Sequence, residues 1–132
     1  MANRSFHKPL GSLEIDTVAL YATATIGASG AVSSYSGKGV TSVTRDSTGQ
    51  YKVNLSDSYN AILWADVQTK HTTGSDPATV GVHGRWEDED VDHSTAPYVQ
   101  FQMFAGDDGA AADPASGAVL YFKIELRNSS VS

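Results

Sequence analysis

Fifteen acidic residues, four histidines and two tryptophans are what this 132-residue chain offers to catalysis, metal binding or ligand stacking. The densest cluster is Glu87-Asp88-Glu89-Asp90, followed by Asp92 and His93. Several carboxylate oxygens together suit a hard cation such as calcium. This run lacks the alternating Asp/Asn ladder and the glycine of an EF-hand loop, so it reads as a solvated acidic loop. Asp107-Asp108, flanked by Gly106 and Gly109, reads as a tight turn. His7, His71, His83 and His93 show no HxH, HxxxH or HExxH spacing, and the absence of cysteine removes thiolate zinc sites and a cysteine nucleophile. No Gly-x-Ser-x-Gly elbow accompanies the many serines. A glycosidase needs two carboxylates facing one cleft; Glu87 and Asp107 are the poor candidates, because acids in turns are ordinary. The expectation is a non-enzyme with no catalytic residue, no cofactor and no metal.

The aromatic residues Tyr21, Tyr35, Tyr59, Trp64, Trp86, Tyr98 and Tyr121 suit a core, a sugar-stacking platform or a subunit interface. Tyr21 and Tyr121 fall on the polar faces of their strands, which makes them the candidate oligomer interface. Charge narrows the partners. Nine basic against fifteen acidic residues give −6, which argues against direct nucleic-acid binding. No apolar stretch approaches the ~20 residues a membrane helix needs, and the N-terminus has no signal-peptide pattern. Neither membrane nor secretion is expected.

The elements that must position these residues are strands. Seven leucines against sixteen serines, eleven threonines and twelve glycines is strand-and-turn usage. Residues 1–13 are polar and unpatterned, with Pro9 and Gly11 as breakers, and read as an irregular N-terminal arm. A single all-β domain over 14–132 follows. Asp16 to Ile26 alternates with period two; Gly27 to Gly39 reads as a loop. Val40 to Leu55 reads as a hairpin turning at Asp46-Ser47-Thr48-Gly49, with Tyr51, Val53 and Leu55 on one face. Further strands are expected at Ala61 to Gln68, Thr79 to Trp86, Tyr98 to Phe104 and Ala118 to Arg127, separated by polar loops at 69–78 and 106–117. The last is the clearest, with Leu120, Phe122, Ile124 and Leu126 facing one way. Seven or eight short strands with long polar connections predict an antiparallel β-sandwich, jelly-roll-like in character.

Several segments carry a resemblance, and their order along the chain supports it. They are Met1-Ala2-Asn3-Arg4-Ser5-Phe6, Ser12-Leu13-Glu14, Thr25-Ile26-Gly27-Ala28-Ser29-Gly30-Ala31, Gly39-Val40-Thr41-Ser42-Val43-Thr44-Arg45, Gly49-Gln50-Tyr51-Lys52-Val53-Asn54-Leu55-Ser56-Asp57, Ala112-Asp113-Pro114-Ala115-Ser116-Gly117 and Leu126-Arg127-Asn128-Ser129-Ser130. The chain resembles the head decoration, or cement, proteins of tailed bacteriophages. The resemblance implies a virion protein on the outer capsid surface, commonly a homotrimer, bound to the major capsid protein and strengthening the shell against packaged DNA. It also implies an arm that reaches onto the lattice. Residues 1–10 hold Arg4 and Lys8 and no acid, so they carry +2 and the remaining 122 residues carry −8. Arg4, Phe6, His7 and Lys8 are therefore the candidate capsid-binding arm residues. The alternative is a phage fibre or host-attachment module binding cell-surface glycan through aromatic-bearing loops, with Trp64 and Trp86 as first suspects.

Overall fold

Alternation of apolar and polar residues every second position puts one face of each strand in the core and the other in water. The computed structural model, which describes residues 16–72, 81–106 and 108–128, has eight strands, and the inner ones follow this pattern most closely. The strands are β1 (Thr17–Ile26), β2 (Val32–Gly37), β3 (Val40–Ser47), β4 (Gln50–Leu55), β5 (Ala61–Lys70), β6 (Val82–Asp90), β7 (Tyr98–Ala105) and β8 (Val119–Arg127). They form two four-stranded sheets, in the orders β2-β1-β8-β5 and β3-β4-β7-β6, and every pairing is antiparallel. The all-β sandwich expected from the sequence is what the chain forms. The expected arm at 1–13, with Arg4, Phe6, His7 and Lys8, lies outside the described residues.

Both sheets bury their inner faces against each other. Leu20, Ala22, Ala24 and Ile26 of β1 meet Leu120, Phe122, Ile124 and Leu126 of β8 within one sheet. Tyr51, Val53 and Leu55 of β4 and Val99, Phe101 and Met103 of β7 supply the other. Phe101 and Phe122 join the two sheets, with ring centroids 5.0 Å apart and planes tilted by 48°, a geometry that aromatic quadrupoles favour. The β3–β4 hairpin turns where its sequence predicted, and Gly49 takes the positive φ of 72° that such a turn needs. Gly84 serves a different purpose. A Cβ there would come within 2.6 Å of Val67 Cγ1 and closer still to Met103, so β6 can approach the core only because the side chain is absent.

Two expectations are corrected. Gly27 to Gly39 is not a loop: a single 3₁₀ turn at Ala28–Gly30 leads into β2, which pairs with β1 from Ala22↔Gly37 to Thr25↔Ser34. Its hydroxyl-rich sequence hides it because the strand is an edge with five of its six residues exposed. The acidic run is not a loop either. Glu87 to Asp90 is the second half of β6, an edge strand that pairs with β7 down to Asp90↔Tyr98. Charge on an edge strand blocks pairing with foreign strands, so acidity and strand structure are compatible here. β5 also runs two residues past its predicted end, to Lys70.

Candidate functional site

The outer face of the β2-β1-β8-β5 sheet can be read directly from its register. Tyr21 lies beside Lys123, which lies beside Asp66; Thr23, Tyr121 and Gln68 form the next row; Ala19, Glu125 and Trp64 form the row on the other side. Three large rings thus stand on one surface, and they are open to solvent: Tyr21 is 62% exposed, Trp64 57% and Tyr121 46%. Lys123 sits among them with its Nζ 3.2 Å from Glu125 Oε1. That hydrogen bond, followed by the Glu125 and Tyr21 charges, raises the lysine pKa. Trp64 reaches this face through a register break between Ile62 and Trp64. Strict alternation would have grouped it with Ile62, which packs against the core; the bulge re-aims it outward. The sequence singled out Tyr21 and Tyr121, and the fold brings them together with Trp64. Trp86 does not join them, since it lies on β6 opposite the buried Phe101. Both tryptophans sit on the strands where the sequence placed them, β5 and β6, so a glycan site built on them would use strand faces and not loops.

The outer face of the β3-β4-β7-β6 sheet is occupied with itself. Gln50 and Gln100 both donate to Glu87, the latter at 2.9 Å. Tyr98 donates its hydroxyl to Asp88 at 3.1 Å, and Lys52 lies 4.3 Å above the Tyr98 ring while pairing with Asp46 at 3.0 Å. Asn54 donates to Ser42 and Thr44. Glu87 and Asp88 of the run are thus engaged within the sheet and Glu89 accepts from the Val91 amide at 3.0 Å; among the described residues no group of three or more His, Asp or Glu is placed to hold a metal ion.

A polar cluster that the sequence did not announce ties the loops at one end. Arg45 grips Asp113 with two hydrogen bonds, 2.9 Å to Oδ1 and 2.7 Å to Oδ2. The Gly49 amide donates to the same Oδ1 at 2.8 Å, and the Tyr51 hydroxyl donates to the Gly30 carbonyl at 2.7 Å with a longer contact to Asp113. Gly30 has φ 77°, and a Cβ there would fall 2.6 Å from Asp113 Oδ2. Burial works against the Asp113 carboxylate, but Arg45, the Gly49 amide and the Tyr51 hydroxyl outweigh it and hold the pKa below the ordinary carboxylate value. Burial first, then the Asp113 charge, pushes the Tyr51 phenol well above its usual range. The Asp113 carboxylate accepts from Arg45, the Gly49 amide and the Tyr51 hydroxyl, so the cluster clamps the segment around Asp113 to the β3–β4 hairpin. Arg45 and Asp113 are 68 residues apart, and no local pattern links them.

The three described histidines each have a partner. His71 Nε2 accepts from the Val82 amide at 2.9 Å, His83 stacks on Phe104, and His93 Nδ1 accepts from the amides of Thr95 and Ala96. His7 and Asp107 lie outside the described residues. A cleft of about 280 Å³ opens between β5 and β6, lined by Val67, Thr69, His71, Val82 and Gly84 among others. No helix among the described residues is long and apolar enough to cross a membrane. Comparison of the chain with protein-family models, with curated proteins and with solved structures finds no match.

Proposed function

We propose that this protein is a tailed-bacteriophage capsid decoration protein: it binds the outer surface of the major capsid protein lattice, stabilises the shell and acts by binding alone. The observation that supports this is the aromatic outer face of the β2-β1-β8-β5 sheet. Tyr21, Trp64 and Tyr121 expose three rings around the Lys123–Glu125 pair. Aromatic residues are enriched in protein interfaces and dominate binding energy when they are desolvated. The sequence resemblance supplies the partner. Arg4 and Lys8 of the arm would add a basic contact to an otherwise acidic protein.

Co-sedimentation with purified heads that lack the protein tests the reading. Saturable binding at hundreds of copies per head is expected, weakened at least about tenfold, or 1.4 kcal/mol, by Trp64→Ala combined with Tyr21→Ala. Deleting residues 2–10 should weaken binding further while leaving the fold intact. A protein that ignores heads altogether defeats the reading.

The same face favours a second reading. Ring surfaces beside Lys123, Glu125, Asp66 and Gln68 combine stacking area with hydrogen-bonding groups, the ingredients of a glycan platform. A fibre or host-attachment module would bind a glycan array and occur in few copies per particle.

A further inference from the structure

A sheet ends in edge strands, and an edge strand presents unpaired N–H and C=O groups to any other strand. The two sheets have four edges, and three are defended. β6 carries Glu87 to Asp90 and a register break between Trp86 and Asp88. β3 carries Arg45 and Asp46, with breaks at Val40/Ser42 and Arg45/Ser47. β5 carries Asp66 and Lys70, with its break at Ile62/Trp64. The fourth edge, β2, reads Val-Ser-Ser-Tyr-Ser-Gly, with no charge and no proline. Its only irregularity lies at its start, where Ile26 meets Val32, and its pairing with β1 is regular from Ser34 to Gly37.

We propose that β2 pairs antiparallel with β2 of a second copy, joining two β2-β1-β8-β5 sheets into one continuous sheet across a two-fold axis. Two features select a second copy as the occupant. The strand is neutral, so self-pairing sets no like charges opposite one another; Lys38, the nearest charge, lies just past its end. Tyr35 sits opposite the buried Ala24, on the inward side of the sheet, yet it is 49% exposed. A register centred on Tyr35 sets the two rings side by side, with Ser34 opposite Ser36, and cross-strand aromatic pairs stabilise antiparallel strands. The two-fold contact is isologous and uses up both open edges, so growth stops at two copies. The outermost strands of the joined sheet are then the defended β5 edges. The pairing also sets two copies of the aromatic face side by side, although it does not depend on what that face binds.

Sedimentation of the full chain between about 1 μM and about 1 mM, where weak and moderate pairs dissociate, tests the proposal. A reversible monomer–dimer equilibrium is expected, rising towards twice 13.9 kDa. Ser34→Lys puts a charge on an exposed edge position and should raise the dissociation constant at least about tenfold, as should Tyr35→Ser. Gln68→Lys, on the β5 edge, should leave it unchanged. Amide exchange at Val32–Gly37 should slow as concentration rises. A chain that stays monomeric at about 1 mM overturns the proposal. So does a trimer, the state the sequence resemblance implies, and so does a dimer whose β2 amides exchange at the monomer rate.

Discussion

The outward side chains of the two sheets differ in what they touch. On the β3-β4-β7-β6 sheet, Gln50 and Gln100 bond to Glu87, Tyr98 to Asp88 and Lys52 to Asp46, each across strands of the sheet. On the β2-β1-β8-β5 sheet, three rings stand in water and the Lys123–Glu125 pair lies along one strand. Both faces are polar by composition, yet one has satisfied its groups internally and the other holds apolar surface in reserve. A face of the first kind gains little from a partner, whereas a face of the second kind can exclude water from its rings.

Four substitutions break or sharpen this contrast, from the largest effect to the smallest. Phe122→Ala removes a ring that is 2% exposed and that joins the two sheets. It should cost about 3–5 kcal/mol, seen in a denaturant melt, and should impair both faces together. If it melts like the parent, the assigned register of β8 is wrong.

Asp113→Asn leaves the Arg45 fork facing a neutral amide and should cost about 2 kcal/mol, without altering either outer face. Its pH signature is distinct. The folded pKa of Asp113 lies below the unfolded value of about 3.9. The unfolded chain therefore binds more protons in that window, and stability from this group is complete above it and lost as pH falls through the folded pKa. The parent should lose melting temperature more steeply below about pH 4 than Asp113→Asn does. Parallel curves would show that the clamp does not titrate.

Tyr98→Phe should change stability by no more than about 0.5 kcal/mol, because the Asp88 bond it deletes is exposed. It should leave head binding untouched. Trp64→Ala should be equally mild in a melt and yet weaken head binding. Loss of stability without loss of binding would remove Trp64 from the proposed docking face and assign it to the packing of β5.

Alternation made β1, β4, β7 and β8 legible, because each buries most of one face and the apolar set of β8 admits only one register. It failed where an edge relaxes that demand. β2 buries almost nothing and so spells Ser-Ser-Tyr-Ser, and β6 ends in four acids because only one of its flanks is paired. The aromatic face was half legible. Tyr21 and Tyr121 stood out among polar neighbours, but Trp64 sits in the run Ile62-Leu63-Trp64-Ala65, where no residue type marks the bulge that turns it outward. The Asp113 clamp was illegible, since its partners meet only after the segment around Asp113 has folded back onto the β3–β4 hairpin.

The place of β8 between β1 and β5 fixes an order of events during synthesis. Thr17 pairs with Arg127, a separation of 110 residues (127 minus 17), and β5 finds its partner in the same late strand. The strands of the other sheet all lie between Val40 and Ala105. A nascent chain still short of Val119 can thus complete one sheet while β1 and β5 wait on either side of an empty position, the edges that will pair with β8 unbonded. Pairings this distant in sequence close slowly, on the order of milliseconds to seconds. The ribosome must therefore release the last strand before the aromatic face, and any surface that docks through it, exists at all.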